Sequence, residues 1–279
     1  MTLTTDLARL PRTAFVEDLA RRSPALTATG LSLLLLLVPL ALAGALDPRT
    51  VSGYPVWDKP MRFALALGLY ALTLAFFAGW VDERARAGRT FRLSIAAGIA
   101  CILFEQVWIT LQAARGTTSH FNMGTPFEAA MWAFMGIGAV VLTAMAAVIG
   151  GLLWARPRAG LAPALRASAA LGLVLTLPLT LLTAGTLASM GGYLVGEGSA
   201  AGAGLAVMGW SREAGDLRVP HFFATHALHA VPLMAAALIP ILGRERIAPS
   251  VGIAVAYSVF VLAVFAQALN GRPFLPIIG

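Results

Sequence analysis

The sequence predicts an all-α integral membrane protein, built as a polytopic bundle of seven transmembrane helices. Two observations carry this prediction. Hydrophobic residues make up 58% of the 279 residues and charged residues only 12%, whereas soluble domains are about 45–50% apolar and about 25% charged. The apolar residues also gather into segments of about 20 residues or more, the length that a helix needs to cross the roughly 30 Å hydrocarbon core of a bilayer.

Seven apolar segments follow a short polar arm. Residues 1–24 are predicted to form a cytoplasmic N-terminal arm, and residues 25–279 a single transmembrane domain. The spans are placed at about 25–46, 60–80, 91–114, 126–154, 163–187, 220–242 and 247–269. The first span is predicted to be retained rather than removed as a signal sequence, because its apolar run is longer than a typical signal core.

Local signals mark where two of the spans begin. Asp58 stands shortly before Pro60, which fits a helix N-cap followed by a proline in the first turn. Thr125 and Glu128 have the spacing of a capping box, in which the glutamate side chain reaches back to the amide of the cap. We therefore favour a structural role for Glu128 over a catalytic one.

The connection at residues 188–219 is the only long one, and its first half is rich in glycine. We predict an outer loop that acts as a lid, re-enters the membrane or is disordered. Glycines within the spans predict close contacts between helices rather than ligand roles. These glycines are Gly68, Gly98, Gly136, Gly138 and Gly172.

The basic residues predict the orientation of the bundle. With the N-terminus in the cytoplasm, the inner segments hold thirteen of the twenty Lys and Arg residues and the outer segments hold seven. The positive-inside rule then favours a cytoplasmic N-terminus and an outer C-terminus. We predict a multi-pass protein of the bacterial cytoplasmic (inner) membrane, with the lipid bilayer as a partner. Because basic loops explain the net charge of +7, no nucleic-acid partner is expected.

Histidines concentrate at the head of the sixth span. His221, His226 and His229 lie within nine residues of each other, and the fourth histidine, His120, falls in the outer loop after the third span. An ionisable group in a membrane span is costly and marks a functional site by default. At 100° per residue the three clustered histidines can share one broad face of a helix.

Glu105 is the strongest polar anomaly within a span. It lies about 15 Å before the outer end of the third span, at the depth predicted for His229. A carboxylate there must be protonated, paired or bound to a metal. We predict that Glu105, His120, His226 and His229 converge in one pocket that opens to the outer face. A protonated acid bonded to a neighbouring helix is the structural alternative.

Further polar residues surround the outer ends of the spans and are the candidates for substrate binding. They are Lys59, Arg62, Gln112, Arg115, Asn122 and Arg218. The single cysteine, Cys101, excludes a disulfide framework and a cysteine-based metal cluster.

Three stretches, WDKPMRFAL, QAARGTTSHFN and PHFFATHAL, resemble a group of uncharacterised bacterial multispanning membrane proteins with KP, RG-x-x-SHFN and H-x-x-x-x-H elements. The stretches cover about a tenth of the chain. The resemblance supports six site residues without implying an activity, and in that group a glutamine can stand at the position of His229. The six are Lys59, Arg115, His120, Asn122, His221 and His226.

Three functions stay open at this point, and whether the protein is an enzyme is one of the open questions. The first is a redox or hydrolytic membrane enzyme that uses zinc, iron, copper or haem b, since histidine is the commonest metal ligand. Its metal ligands would be His120, His221, His226, His229 and Glu105. Haem would take His120 with His226 or His229, and Glu105 would be catalytic.

The spacing of the histidines does not decide for a metal. The pattern H-x4-H-x2-H is not a standard zinc motif, and it departs from the S-x3-H and H-x3-H elements of ceramidase-like seven-helix hydrolases.

The second function is a binding protein or proton-coupled transporter for a small anionic or lipid-like molecule, with Glu105 and the histidines as a proton relay. The third is a structural or assembly subunit, in which the histidines bond neighbouring helices.

Overall fold

A computed structural model describes residues 12–197, 204–205 and 208–275, so residues 1–11 of the predicted arm and parts of the 188–219 loop lie outside the described residues. The chain divides into two compact units, which are described separately. Unit 1 comprises Met1–Ser119 with Arg156–Ala159, and unit 2 comprises His120–Ala155 with Gly160–Gly279. That residues 25–279 form a single domain stays a prediction.

Both units are built of helices joined by short connections. Unit 1 contains α1 (Arg12–Arg22), α2 (Pro24–Leu46), the paired strands β1 (Thr50–Val51) and β2 (Tyr54–Pro55), α3 (Asp58–Ala78), α4 (Glu83–Ala87) and α5 (Arg89–Ala114). Unit 2 contains α6 (Pro126–Ala155), α7 (Pro163–Ser189), the paired strands β3 (Leu194–Val195) and β4 (Gly215–Asp216), α8 (Arg218–Thr225), α9 (Ala227–Leu242) and α10 (Ala248–Leu269).

Six helices are long and apolar enough to cross a membrane. They are α2, α3, α5, α6, α7 and α10, and each begins and ends within about two residues of a predicted span. A seventh candidate is the pair α8 and α9, which pass the same test together but are bent by 59°. The sequence analysis predicted one continuous helix over residues 220–242, and in this respect it was wrong.

Small residues set the closest helix contact in unit 1. A Cβ atom on Gly30 of α2 would lie 2.9 Å from the carbonyl oxygen of Gly68 on α3, and one on Gly68 would lie 3.2 Å from the oxygen of Gly30. The two backbones can approach this closely only because neither residue has a side chain. The predicted contact role of Gly68 is confirmed, whereas a Cβ on Gly136 of α6 would meet nothing within 4 Å, so that prediction was wrong.

At one end of unit 1, the N-terminal arm and residues 156–159 pack against the connection between α3 and α5. A guanidinium NH of Arg22 on α1 donates to the carbonyl oxygen of Phe76 at 3.0 Å, and Arg86 on α4 donates to the oxygen of Arg22 at 2.8 Å. The amide of Asp82 donates to Arg156 at 2.9 Å, and the amide of Arg158 donates to Trp80 at 2.7 Å. The segments predicted to be cytoplasmic therefore lie together, although the orientation itself stays a prediction.

The opposite end of unit 1 is held by the connection after α2. Arg49 donates to both carboxylate oxygens of Asp47 and, through its two terminal nitrogens, to the carbonyl of Ala114 at 3.2 Å. The indole of Trp57 also donates to Asp47 at 2.9 Å. These hydrogen bonds, with Arg49 the largest contributor, hold the pKa of the Asp47 carboxyl well below its usual range. The carbonyl of Ala114 lies at the end of α5, where it has no partner within the helix, and the Arg49 guanidinium supplies its hydrogen bonds.

The packing of α7 organises unit 2. Gly150 on α6 faces the backbone of Ala170 on one side of α7, where an added Cβ would lie 2.8 Å from the Ala170 oxygen. Gly172 faces α9, where an added Cβ would lie 2.8 Å from the Ala227 oxygen and 3.0 Å from Pro232. The prediction that Gly172 makes a helix contact is confirmed.

The predicted cap at the start of α6 is present. The amide of Glu128 donates to Thr125 Oγ1 at 3.2 Å, as the capping box predicts.

The described part of the 188–219 loop packs against the helices of unit 2. Strands β3 and β4 pair, and Trp210 lies against Phe222 and Phe223 of α8 with ring centroids 5.3 and 6.1 Å away. Gly215 approaches α10 so closely that an added Cβ would overlap the carbonyl group of Ala268. These residues therefore form a packed cover over α8 and the end of α10. Residues 198–203 and 206–207 of the loop lie outside the described residues.

Candidate functional site

The sixth predicted span is interrupted at His226. This residue has φ −92° and ψ 5°, between α8 and α9, so the helix does not continue through it. A break in a membrane helix frees backbone carbonyl groups, which must find other donors where no water can reach them. In this chain the His226 amide still lies 3.1 and 3.2 Å from the oxygens of Phe222 and Phe223, and side chains supply further donors.

Three side chains donate to the two carbonyls at the break. The Tyr257 hydroxyl of α10 donates to the oxygen of Phe223 at 2.8 Å. The Thr225 hydroxyl donates to the oxygen of Phe222 at 2.9 Å, and His226 Nδ1 lies 2.7 Å from that same oxygen. The two carbonyl groups at the bend therefore have hydrogen-bond donors within the protein.

This arrangement fixes the tautomer of His226. A carbonyl oxygen only accepts hydrogen bonds, so the proton of the 2.7 Å contact must reside on Nδ1. In neutral His226 the second ring nitrogen, Nε2, then carries the lone pair. The ring is stacked on Phe222 with centroids 4.0 Å apart, which holds its orientation.

The other two clustered histidines lie close to His226. The ring of His229 is 5.6 Å from that of His226, centroid to centroid, and His221 interacts with His226 electrostatically. His221 Nδ1 lies 3.5 Å from Thr183 Oγ1, whose own proton goes to the carbonyl of Leu179 at 2.9 Å. This long contact places His221 beside α7 and does not define its tautomer.

The buried threonines of α7 and Tyr257 of α10 were not predicted as polar residues of unit 2. Thr180 is 4% exposed, and its hydroxyl has no hydrogen-bond partner among the described residues. Thr176 and Thr183 are also buried on the same helix, at 1% and 0% exposure. The three threonines are four and three residues apart, and this spacing could have predicted a polar stripe along one side of α7. Tyr257 gave no signal, because its partner lies 34 residues away in the chain.

The remaining predicted residues of unit 2 make local contacts. The ring of His120 lies 5.1 Å from that of Trp132, and Asn122 accepts the amide of Gly124 at 3.1 Å. Arg218 pairs with Asp216 at 2.6 Å and donates to the oxygen of Gly209 at 2.7 Å. The Arg218 contacts hold the covering loop in place, and the substrate roles of Asn122 and Arg218 stay predictions.

Unit 1 carries a second group of predicted residues, around the head of α3. Glu105 is 4% exposed in the middle of α5 and interacts electrostatically with Lys59. The next residue, Gln106, is 3% exposed and donates through Nε2 to the carbonyl of Pro60 at 3.3 Å. Its Oε1 is buried and has no partner among the described residues. Gln106 was missed because a single amide beside a carboxylate did not stand out.

Gln112, Arg115 and Arg62 complete the predicted residues of unit 1. Arg115 donates to Gln112 Oε1 at 2.8 Å, and Gln112 is fully buried. Arg62 lies 3.8 Å from Asp58 on the exposed side of α3. The predicted convergence of Glu105 with the histidines joins residues of different units and stays a prediction.

A ready-made metal centre is not found in the described part of the chain. Over residues 12–197, 204–205 and 208–275, no group of three or more His, Cys, Asp or Glu side chains is arranged to hold a metal ion. The predictions of zinc, iron, copper or haem b therefore gain no support from a preformed set of ligands.

Comparisons with protein-family models, with curated proteins and with solved structures found no match for this chain. The helices themselves define the class to which it belongs. A mostly helical chain with six candidate spans, or seven if the bent pair counts as one, is a multi-pass helical membrane protein.

Proposed function

We propose that this protein is a binding protein or proton-coupled transporter for a small anionic or lipid-like molecule. The observation that carries the proposal is the 59° break of the sixth span at His226. Broken helices in membranes are tolerated where they line a cavity or are buried in protein, and in transporters they build the substrate site near the bilayer midplane.

The chemistry at the break suits a ligand and a proton. His226 donates Nδ1–H to the Phe222 carbonyl, so its Nε2 is left to exchange a proton or to accept from a ligand. His221 lies on one side of the break, with its Nδ1 3.5 Å from the Thr183 hydroxyl. An imidazole can donate a proton from one ring nitrogen and accept one at the other, which is the property that a proton relay needs.

The ionisable residues Glu105 and Lys59 of unit 1 are the second part of the proposal. Glu105 is 4% exposed in the middle of the third predicted span, and ionisable residues at such positions commonly serve proton or ion pathways. We assign Glu105 the role of the proton acceptor that couples ligand movement to a proton gradient. Lys59 keeps the site close to neutral while Glu105 is ionised.

A metal-dependent redox or hydrolytic enzyme is the second candidate, and one contact favours it. Histidines that bind metals usually donate their other ring N–H to a carboxylate or a backbone carbonyl, as His226 does to Phe222 at 2.7 Å. The His229 ring, 5.6 Å away, is the second ligand that we propose for a shared zinc, iron or copper ion. Elemental analysis and an absorption spectrum test this candidate: stoichiometric metal, or a Soret band from haem b, would support it over transport.

Binding and coupling are tested separately on the purified full-length protein. Thermal unfolding is measured with a panel of small carboxylates, phosphates and lysophospholipids at pH 6 and pH 8. A ligand at about 100 times its Kd stabilises the folded state by about 2.7 kcal/mol. The proposal expects such stabilisation in the wild type and its loss in His226→Gln. Proteoliposomes containing a pH-sensitive dye then report proton movement driven by any stabilising ligand.

The variants separate the possible outcomes. Glu105→Gln should abolish proton movement while keeping ligand-dependent stabilisation, and Glu197→Gln, an exposed glutamate in unit 2, is the matched control. If no compound stabilises the wild type more than the His226→Gln variant, the transport and binding proposal fails. If His226→Gln only lowers the melting temperature, the histidines serve the fold, as the structural or assembly hypothesis holds.

A further inference from the structure

We infer that the end of unit 1 that carries α1 and α4 is a binding surface for the headgroups of anionic phospholipids. Six exposed arginines define this basic patch. They are Arg21, Arg84, Arg89, Arg92, Arg156 and Arg158.

Hydrogen bonds of the backbone and of two half-buried arginines, Arg22 and Arg86, bring these six residues to one end of unit 1. Arg22, next to Arg21, is tied to the end of α3 through the oxygen of Phe76, and Arg86 is tied to Arg22. The amide contacts of Asp82 with Arg156 and of Arg158 with Trp80 add the 156–159 segment to the same end. The patch is therefore built from three separate stretches of sequence, at residue 21, at 84–92 and at 156–158, rather than from one basic run.

The acidic residues of this end leave most of the positive charge uncompensated. Asp18 pairs with Arg22 and lies 3.7 Å from Arg21, and Glu83 lies 3.7 Å from Arg86. Asp82 accepts the amide of Arg84 as the cap of α4. Glu17 is the further acidic residue of this end, and it is exposed. Of the six arginines of the basic patch, Arg21 has a carboxylate of the described residues within ion-pair distance, and the other five do not.

Apolar side chains beside the patch identify a membrane as its partner. Phe15 and Val16 of α1 are each 39% exposed, while Leu19 on the same helix is 2% exposed and packs inward. A helix that shows both apolar and basic side chains to its surroundings is typical of the bilayer interface. The patch also lies at the ends of the membrane-spanning α3 and α5, where lipid headgroups are the nearest anions.

The spread of the arginines also favours headgroups over a soluble anion. They are distributed over several elements instead of converging on one point, which suits several lipid phosphates at a charged surface. Each basic residue close to an anionic membrane contributes about fivefold to association. The surface charge of the membrane, and not a shaped pocket, supplies the attraction, so added salt should weaken it.

The full-length protein is tested in nanodiscs of phosphatidylcholine alone and of phosphatidylcholine with phosphatidylglycerol. Spin-labelled phosphatidylglycerol reports its association relative to phosphatidylcholine. We expect a preference of about fivefold or more for phosphatidylglycerol in the wild type, and a clearly smaller preference in Arg84→Gln/Arg89→Gln/Arg92→Gln, which keeps three of the six arginines. Arg89→Gln alone is compared with Arg272→Gln, an exposed arginine of unit 2, which should keep the wild-type preference.

Three results would overturn the inference. One is an equal preference for phosphatidylglycerol in the triple variant and the wild type, measured in samples that both give a cooperative thermal transition. Another is a loss in Arg272→Gln as large as that in Arg89→Gln. The third is full reproduction of the lipid effect by inorganic phosphate added to phosphatidylcholine nanodiscs, which would identify a soluble anion as the ligand.

Discussion

The contact between Gly172 and α9 gives a prediction whose sign depends on the structure. Gly172 and Gly185 both lie in α7, and alanine is a better helix former than glycine by about 1 kcal/mol. A Cβ on Gly185 would meet nothing within 4 Å. Propensity alone therefore predicts that both alanine variants are more stable than the wild type.

The backbone of α9 reverses this expectation at one of the two positions. A Cβ on Gly172 would lie 2.8 Å from the Ala227 oxygen, 3.0 Å from Pro232 and 3.3 Å from Val231. The first of these atoms belongs to the backbone beside the break at His226, so it cannot move aside as a flexible side chain would. Overpacking of this kind costs about 1–3 kcal/mol.

The comparison is designed so that helix propensity cancels. Gly172→Ala and Gly185→Ala gain the same propensity term, and the difference in their free energies of unfolding isolates the steric cost. We expect Gly172→Ala to be less stable than Gly185→Ala by about 1–3 kcal/mol. Reversible unfolding in mixed detergent micelles measures both variants. Equal stabilities would refute the close approach of α7 and α9.

Three other substitutions test the hydrogen bonds and charges described above. Tyr257→Phe removes only the hydroxyl that donates to the oxygen of Phe223, and should lower the free energy of unfolding by about 0.5–1.5 kcal/mol. Asp216→Asn removes the fully buried partner of Arg218 and should cost about 3 kcal/mol, because the guanidinium loses its counter-charge. The depressed pKa of Asp47 contributes stability that is complete above its usual pKa of 3.8 and is lost as the pH falls below it, so Asp47→Asn should flatten the acid limb of the pH–stability curve.

Each of these variants has a matched control on the surface. Tyr54→Phe removes the hydroxyl of an exposed tyrosine, and Glu197→Gln neutralises an exposed acid. Both controls should unfold with the wild-type free energy. A Tyr257→Phe variant as stable as its control would mean that the helix break does not depend on the hydroxyl. An unchanged acid limb in Asp47→Asn would show that another carboxyl sets the low-pH stability.

The ends of the helices were predictable because local chemistry sets them. Pro126 and Pro163 begin helices where the sequence analysis placed span starts, and apolar runs of bilayer length fixed the other ends to within about two residues. The interruption at His226 was not predictable. It depends on Tyr257 from another helix and on a side-chain bond to Phe222, neither of which changes the hydropathy of the segment.

The candidate site was predicted only where local spacing along one helix decides which residues meet. His226 and His229 were expected to lie together, since three residues in a helix separate them, and their rings are 5.6 Å apart. The hydrogen bond from Gln106 to the carbonyl of Pro60 was not expected, because the head of α3 was placed on an outer rim. The depth of a residue at a helix head depends on the offset between neighbouring helices, which no local pattern records.

The sequence by itself determined that this chain is a multi-pass helical membrane protein, and it identified which ionisable residues stand in apolar surroundings. Both follow from the cost of placing polar groups in hydrocarbon, which acts on every segment independently. The tertiary structure alone decided that the sixth span bends at His226, that α7 and α9 touch through Gly172, and that Arg218 secures a loop. These features depend on donors, backbones and charges brought together from distant parts of the chain.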